Sequence, residues 1–376
     1  MMQVQGDWLQ HAGTQALCLA LESSGFQALF VGGCVRNALI GAPVNDIDIA
    51  TDATPETVTN LAQNAGFKVI PTGIDHGTVT VIAQGGVHEV TTFRQDIETN
   101  GRHAIVRYST SVVEDAARRD FTMNALYARA DGTVVDPLGG LPDLLARRVR
   151  FVGDADARIT EDYLRILRFF RFFAWYGDPA QGVDAEGLAA CAAHSAGIET
   201  LSRERVGAEI CKLLSAPDPS LAVASMAQSG VLAAALPGAD AKALPVLVHF
   251  GMRSWVARLA VLGGAVETLR LSRADLARVI LIREEVERLR PPQELGYRHG
   301  VEVAEMVILC CAALFEAEPP ANWQADIAKG AGAEFPVDAA DLMAQYQGKA
   351  LGDQLRLLEQ RWVDSGFALS KTALLA

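Results

Sequence analysis

Two aspartates separated by one residue, Asp46 and Asp48 in "NDIDIAT", are the first chemistry the chain offers. On a strand, alternate side chains share a face. Both carboxylates therefore project together, about 7 Å apart at the backbone, while Ile47 and Ile49 face a core. Carboxylates so placed can converge on one or two Mg²⁺ ions spaced about 3.5–4 Å, the geometry of two-metal phosphoryl transfer. Solvated acids at an exposed strand edge are the plainer alternative, although acids are unfavourable in strands and like charges on one face repel. A little upstream, "GGCVR" follows a short apolar run and opens a helix. Free N–H groups at such a turn can cradle a phosphate, with Arg36 closing on it. A glycine pair alone is explained equally well by a tight turn. The same pair ahead of a D-x-D strand is a stronger signal.

A second constellation lies in "EDYLRILRFFRFF". Asp162 and Arg165 are three residues apart and so neighbours on a helix. A surface ion pair, worth little, is one reading. A base edge is the other. Cytosine presents an amino donor beside its N3 and O2 acceptors, and adenine an amino donor beside N1. An acceptor (Asp162) next to a donor (Arg165) complements both. Guanine and uracil present the reverse order and would leave polar groups unpaired, a mismatch that can reject by up to about 10⁴–10⁵. Arg168 and Arg171 continue at helical spacing among bulky apolar residues, which suits a helix packed on one side and facing a cleft or solvent on the other. Phe169, Phe170, Phe172 and Phe173 read as its packed side. In "RRDFTMNAL", Phe121, Met123, Leu126 and Tyr127 read as packing residues. Arg118 and Arg119 end a helix, where positive charge is favourable, and Asp120 can orient an arginine. None of the seven histidines has H-x-x-x-H or H-D spacing, and His76 reads as a locally bonded residue at a strand start.

The elements that must hold these residues are legible in outline. Residues 8–24 read as a helix ending at Gly25, "QALFVGG" as a strand into a turn, "VRNALIG" as a helix closed by Gly41, and "NDIDIAT" as a second strand. Thr54-Pro55-Glu56 is a helix start. "TVTVIA" and "HEVTTF" alternate apolar and polar around "QGG", a hairpin signature. Residues 95–110 have no clear periodicity and read as a mobile loop. Ser111 followed by Glu114 is a capping-box pattern. After "VVDPLGG" the chain reads as mostly helical, with periodic segments at 157–176, 203–215, 219–230, 254–262, 273–290, 301–315 and 350–363 and joints at "SAPDPS" and "PGADAKALP".

Composition bounds the rest. The 376 residues are long for one core. With 50% hydrophobic and 21% charged residues the class is soluble and globular. There is no secretory leader pattern and no apolar run fit to span a bilayer, so no membrane role is expected. The six cysteines lack C-x-x-C or metal-site spacing, which points to reduced thiols and a cytoplasmic setting. A net charge of −12 argues against a polyanion partner. Locally the balance reverses: from Leu144 to Phe173, seven arginines stand against four acids, and a further arginine-rich stretch runs from Arg270 to Arg298. Such patches can guide a nucleic acid, although a solvated helix face explains either one alone.

"VGGCVRNALIG…NDIDIAT", "HGTVTV", "EVTTFRQD", "RRDFTMNAL", "DPLGG", "EDYLRILRFFRF" and "LSRERVGAEI" occur in this order. Over residues 28–215 the chain resembles the bacterial class II tRNA nucleotidyltransferases, the CCA-adding enzymes of the polymerase-β-like superfamily. The helical remainder is similar only in character and length. The resemblance implies an α+β fold: a small antiparallel-sheet nucleotidyltransferase head (residues 1–140), a helical neck with the nucleotide-selecting pocket (141–215), and a helical body and tail that bind tRNA (216–376). It implies that Asp46 and Asp48 hold catalytic Mg²⁺, that Glu89 is a third catalytic acid, and that Gly33, Arg36 and Arg119 contact the nucleotide triphosphate. Asp162, Arg165, Arg168 and Arg171 would line the nucleotide pocket. The implied partners are CTP, ATP and the tRNA acceptor end, with C, C and A added to the 3′ terminus; a monomer and a homodimer both remain open. One position departs from the family pattern G-G-x-V-R-D: Asn37 stands where aspartate is expected. The rivals are a poly(A) polymerase, for which the mixed, mostly acidic tail "GAEFPVDAADLMAQYQGKALGDQLRLLEQRWVDSG" is a poor fit, an enzyme adding only CC or only A, and a non-catalytic RNA-binding relative.

Overall fold

Local sequence chemistry sets the helix starts. Thr54, Ser111, Asp154, Asp184, Ser202 and Ser272 each accept the backbone N–H three residues on, satisfying a donor with no partner inside the helix. At Ser111 only half of the expected box forms, because the Glu114 carboxylate accepts from Ser109 Oγ instead. These ends are seen in a computed structural model that describes residues 2–71, 73–74, 77–100 and 103–376; His76 lies outside them.

The chain divides into two compact units, Met1–Pro237 and Gly238–Ala376, with the division at the start of "PGADAKALP". The first holds strands β1 Leu29–Val31, β2 Ile47–Thr51, β3 Lys68–Ile70, β4 Thr78–Ala83, β5 Gly86–Thr92, β6 Arg94–Asn100, β7 His103–Tyr108, β8 Tyr127–Ala128 and β9 Val134–Val135. Its helices are α1 Asp7–Gln10, α2 Ala12–Glu22, α3 Gly33–Ile40, α4 Pro55–Asn64, α5 Val112–Ala117, α6 Leu141–Leu145, α7 Ala155–Glu161, α8 Leu164–Tyr176, α9 Ala185–Ala193, α10 Arg203–Leu214, α11 Ser220–Gln228 and α12 Val231–Ala235. Seven strands form one sheet in the order β3-β4-β5-β2-β1-β8-β9. Its pairings are antiparallel except β2 with β5, which run parallel and set Asp48 opposite Glu89 and Ile49 opposite Val90. Ile49, Val90, Val79 and Val81 are buried, with α2 and α4 against β4 and β5, and Thr14 on α2 hydrogen-bonds His88 on β5 at 2.8 Å. Direct neighbours in a ladder share a face, so Asp48 and Glu89 stand together on the face opposite this core.

The segment 95–110 corrects the reading of a mobile loop: β6 and β7 pair with each other as an antiparallel hairpin with an irregularity between Asp96 and Glu98. This hairpin stands outside the main sheet, and "QDIETN" carries no apolar alternation to betray a strand.

The second unit is helical: α13 Leu244–His249, α14 Trp255–Leu262, α15 Arg273–Arg288, α16 Pro292–Leu314, α17 Trp323–Ala331, α18 Gly348–Asp364 and α19 Lys371–Leu375. Periodicity placed a helix start at 301, and α16 breaks there, Gly300 taking φ 75°. The arginine-rich stretch 270–298 is largely used within the unit. Arg278 pairs with Glu302, Arg288 with Glu284 and Glu285, Arg290 with Glu285 and Glu294, and Arg298 with Glu294, while Arg283 donates to four carbonyls near the end of α14. α16 and α17 cross where Gly296 meets the backbone of Ile327 and Gly330 meets that of Gln293; a Cβ at Gly330 would lie 1.8 Å from the Gln293 carbonyl oxygen. Gly330→Ala should therefore separate the two helices and cost about 1–3 kcal/mol or more. Denaturant unfolding followed on the tail tryptophans, Trp323 and Trp362, would show it, and unchanged stability would contradict the close crossing. Among the described residues no helix is long and apolar enough to cross a membrane, and the six cysteines are free thiols.

Candidate active site

β1 ends at Val31, and Gly32, whose φ of 69° favours glycine, turns the chain directly into α3. A Cβ at Gly32 would stand 3.6 Å from Arg119 Nη1, and one at Gly33 would stand 4.0 Å from Arg36 Nη2, so two guanidiniums flank the turn. Beneath it, the buried Cys34 thiol reaches the carbonyls of Val31 and Asp48, tying the start of α3 to β2. Asp48 lies on β2, while Asp46 is exposed just before it. Burial pushes the Asp48 carboxyl up and the Glu89 carboxylate adds to this; Arg119 opposes, Asp46 reinforces, and the outcome is a pKa of about 6. A carboxylate held among other carboxylates without enough positive charge to compensate is a donor suited to a hard divalent cation. Among the described residues no three His, Cys, Asp or Glu side chains come together at metal-binding spacing, so Asp46, Asp48 and Glu89 do not form one three-ligand cluster, and Glu89 bears on Asp48 through charge.

Three arginines converge on one aromatic ring. Arg36 on α3 and Arg168 and Arg171 on α8 lie 5.2, 5.3 and 4.7 Å from the centre of Phe172, and Arg36 also lies 4.0 Å from the centre of Tyr176. Around this ring, Phe121, Phe151, Phe169 and Phe170 pack as core. Arg168 and Arg171 are held from outside their own helix. Arg168 donates through Nε and Nη2 to Asp120 Oδ2 (2.8 and 2.5 Å), and Arg171 Nε to Glu209 Oε2 (2.5 Å). Arg119 donates to Asp115 Oδ2 (2.9 Å) and to the Tyr127 hydroxyl (3.1 Å), which itself donates to Asp115 (2.7 Å). Burial raises the Asp115 and Asp120 carboxyls, but their arginines and hydrogen bonds outweigh it and hold both at about 2.

The expected Asp162–Arg165 pair is not formed. Helical periodicity ran unbroken through 157–176, yet the chain leaves the helix at Asp162 (φ −154°, ψ 104°) and re-enters at Tyr163–Leu164. Asp162 Oδ1 accepts the Leu164 N–H and Oδ2 accepts from Arg205 at 2.6 Å. Arg165 turns to Glu161 (2.5 Å) and to the carbonyls of Arg158 and Arg118. Tyr163 lies flat against Gly197, where any Cβ would fall 2.1 Å from its ring. Arg205, Asp115, Glu209 and Tyr176 are thus parts of the site that sequence reasoning did not single out. Arg205 and Glu209 lie in "LSRERVGAEI", but what they touch is set by packing alone.

Residues 28–150 match the family described as Poly A polymerase head domain, and residues 183–242 the family described as Probable RNA and SrmB- binding site of polymerase A. The chain is 41% identical over 203 residues to the mitochondrial CCA tRNA nucleotidyltransferase 1 of Danio rerio, covering 54% of this chain and 47% of that protein. It is 41% identical over 220 residues to the CCA-adding enzyme of Geobacillus thermodenitrificans, covering 58% of this chain and 52% of that one. The chain spans about half the length of these curated relatives. Among solved structures it is similar to the CCA-adding enzyme of Bacillus stearothermophilus in complex with CTP, with a TM-score of 0.77, 29% identity, and coverage of 96% of this chain and 94% of that one.

Proposed function

We propose that the chain is a nucleotidyltransferase of the poly(A) polymerase and tRNA nucleotidyltransferase family, and that it adds C, C and A to the 3′ end of tRNA from CTP and ATP, releasing pyrophosphate. The observation that carries this reading is the placement of Asp46 and Asp48 beside a glycine turn flanked by Arg36 and Arg119. In the reaction the tRNA 3′-hydroxyl attacks the nucleotide α-phosphate. Mg²⁺ held by Asp46 and Asp48 would acidify that hydroxyl and offset charge on the phosphates. Arg119, anchored by Asp115, and the first N–H groups of α3 at Gly33 hold the polyphosphate. Arg168 and Arg171, fixed by Asp120 and Glu209, line the nucleotide pocket without needing to reorganise when the nucleotide arrives. Glu89 keeps the carboxylate face negative.

Base choice rests on Asp162 and on two arginines, Arg165 near it in the chain and Arg205 bonded to it in space. Arg165→Ala should let GTP or UTP compete while changing the Michaelis constant for CTP little. If selectivity is unchanged, Arg205 is the donor and its alanine variant should show the effect instead. The same reading divides the chain into head (1–140), neck (141–215) and tRNA-holding body and tail (216–376), and sets it in the cytoplasm, where free thiols persist. Purified protein given tRNA lacking CCA should add three nucleotides with CTP and ATP and then stop. Long tails from ATP alone would make it a poly(A) polymerase, and arrest after two cytidines a CC-adding enzyme.

A further inference from the structure

Arg36 differs from the other arginines of the site. Arg119, Arg165, Arg168 and Arg171 each meet a carboxylate, from Asp115, Glu161, Asp120 and Glu209. Arg36 is only 6% exposed, and its hydrogen bonds go to neutral oxygens: Asn37 Oδ1 from Nε and Nη2 (3.1 and 2.9 Å), Asn124 Oδ1 from Nη1 (2.5 Å), and the Tyr176 hydroxyl from Nη2 (2.8 Å). Among the described residues it has no ion-pair partner. A buried cation without a counter-charge is costly, and an anion at hydrogen-bonding distance relieves that cost. Burial accordingly pulls the Arg36 guanidinium below its usual range, only partly countered by Tyr176 and Asp120, whereas Arg168, although also buried, is carried above it by Asp120.

Asn37 has a second bond. Its Nδ2 donates to the carbonyl of Pro43 at 2.8 Å, and Pro43 lies in the segment that leads into Asp46. A side-chain amide can accept from Arg36 and donate to Pro43 at once. A carboxylate can only accept, and would set negative charge against the Pro43 carbonyl.

We propose that Asn37 is a positioning residue which leaves Arg36 without a counter-charge in the free protein and ties it to the loop bearing Asp46, so that a diphosphate or triphosphate group completes the charge balance. An aspartate at this position would compete with that anion. The idea rests on the transferase reading above. Its consequence is a nucleotide and pyrophosphate affinity that depends on the neutrality of residue 37, separate from the integrity of the loop.

Calorimetric titration of wild type, Asn37→Asp and Asn37→Ala with inorganic pyrophosphate at saturating magnesium separates the two effects. Asn37→Asp should weaken pyrophosphate binding about tenfold, since a fixed carboxylate then neutralises Arg36. Asn37→Ala keeps the site neutral and should bind within about threefold of wild type, while its turnover falls because the Pro43 bond is lost. Equal weakening in both variants, or none in Asn37→Asp, overturns the proposal. Should Asn37→Asp fail to fold, Asn37→Ala still decides: retained binding with slower turnover supports the proposal, and lost binding overturns it. A wild type that binds neither pyrophosphate nor CTP would instead overturn the transferase reading itself.

Discussion

Asp48→Asn should reduce CMP incorporation into tRNA by at least about 10³-fold, with the fold intact. Metal at a phosphoryl-transfer centre is worth several kcal/mol of transition-state stabilisation, and each 1.36 kcal/mol is a factor of ten in rate. Asp48 is the central carboxylate of the set, on β2, opposite Glu89 and two residues from Asp46. The substitution keeps the size of the side chain and removes the charge. Full activity in a radiolabelled CTP assay would end the assignment of Asp48 as a ligand. A companion measurement concerns stability without metal. The folded pKa of about 6 lies above the ordinary 3.8, so Asp48 contributes stability that is complete below about 3.8 and lost as pH rises through 6. The metal-free variant should therefore be more stable than metal-free wild type above pH 6, and the advantage should vanish towards pH 4. Added magnesium should stabilise wild type and leave the variant nearly unchanged.

Asp115→Ala carries the second large effect. Asp115 is 1% exposed and receives Arg118, Arg119 and the Tyr127 hydroxyl. Removing one side of a buried, hydrogen-bonded charge group costs about 3–5 kcal/mol, because the remaining partners stay desolvated without a mate. Denaturant unfolding at pH 7 would measure it. The deficit also has a pH window: a carboxyl held at about 2 rather than 3.8 stabilises fully above 3.8 and ceases to do so as pH falls towards 2, so wild type and variant should converge there. Arg119 loses its anchor in the same variant. The Michaelis constant for CTP should rise about tenfold, the loss of one charge-assisted bond. A variant as stable as wild type would show that Arg118 and Arg119 find water or other acceptors instead.

What could be read from the residues alone follows a physical line. Features decided within a few residues are legible: the caps at Thr54 and Ser111, the β4–β5 hairpin with its Gln84–Gly85 turn, the glycine turn at Gly32 and the D-x-D strand. Features decided by distant contacts are not. Nothing in the spacing of Asp162 and Arg165 announces that one residue is extended and its carboxylate turned to Arg205, since the apolar period continues in phase on both sides of the break. The counter-charges of Arg119, Arg168 and Arg171 come from Asp115, Asp120 and Glu209, and only the tertiary fold selects which acid meets which arginine. The β6–β7 hairpin escaped because "RQDIETN" is polar and "HAIVRY" has a short apolar run, so neither strand shows the alternation that marks one.

The parallel pairing of β2 with β5 has a kinetic consequence. Asp48 and Glu89 are brought side by side only after the chain has run through α4, β3 and β4 and returned. The β4–β5 hairpin is local and closes early, whereas a parallel pairing must first overcome the entropy of a long loop. In refolding, strand content should therefore rise before divalent-cation affinity does, and stopped-flow dichroism set against a metal-indicator signal should show a lag between them. Competence for chemistry would then be among the last properties this domain acquires as it folds.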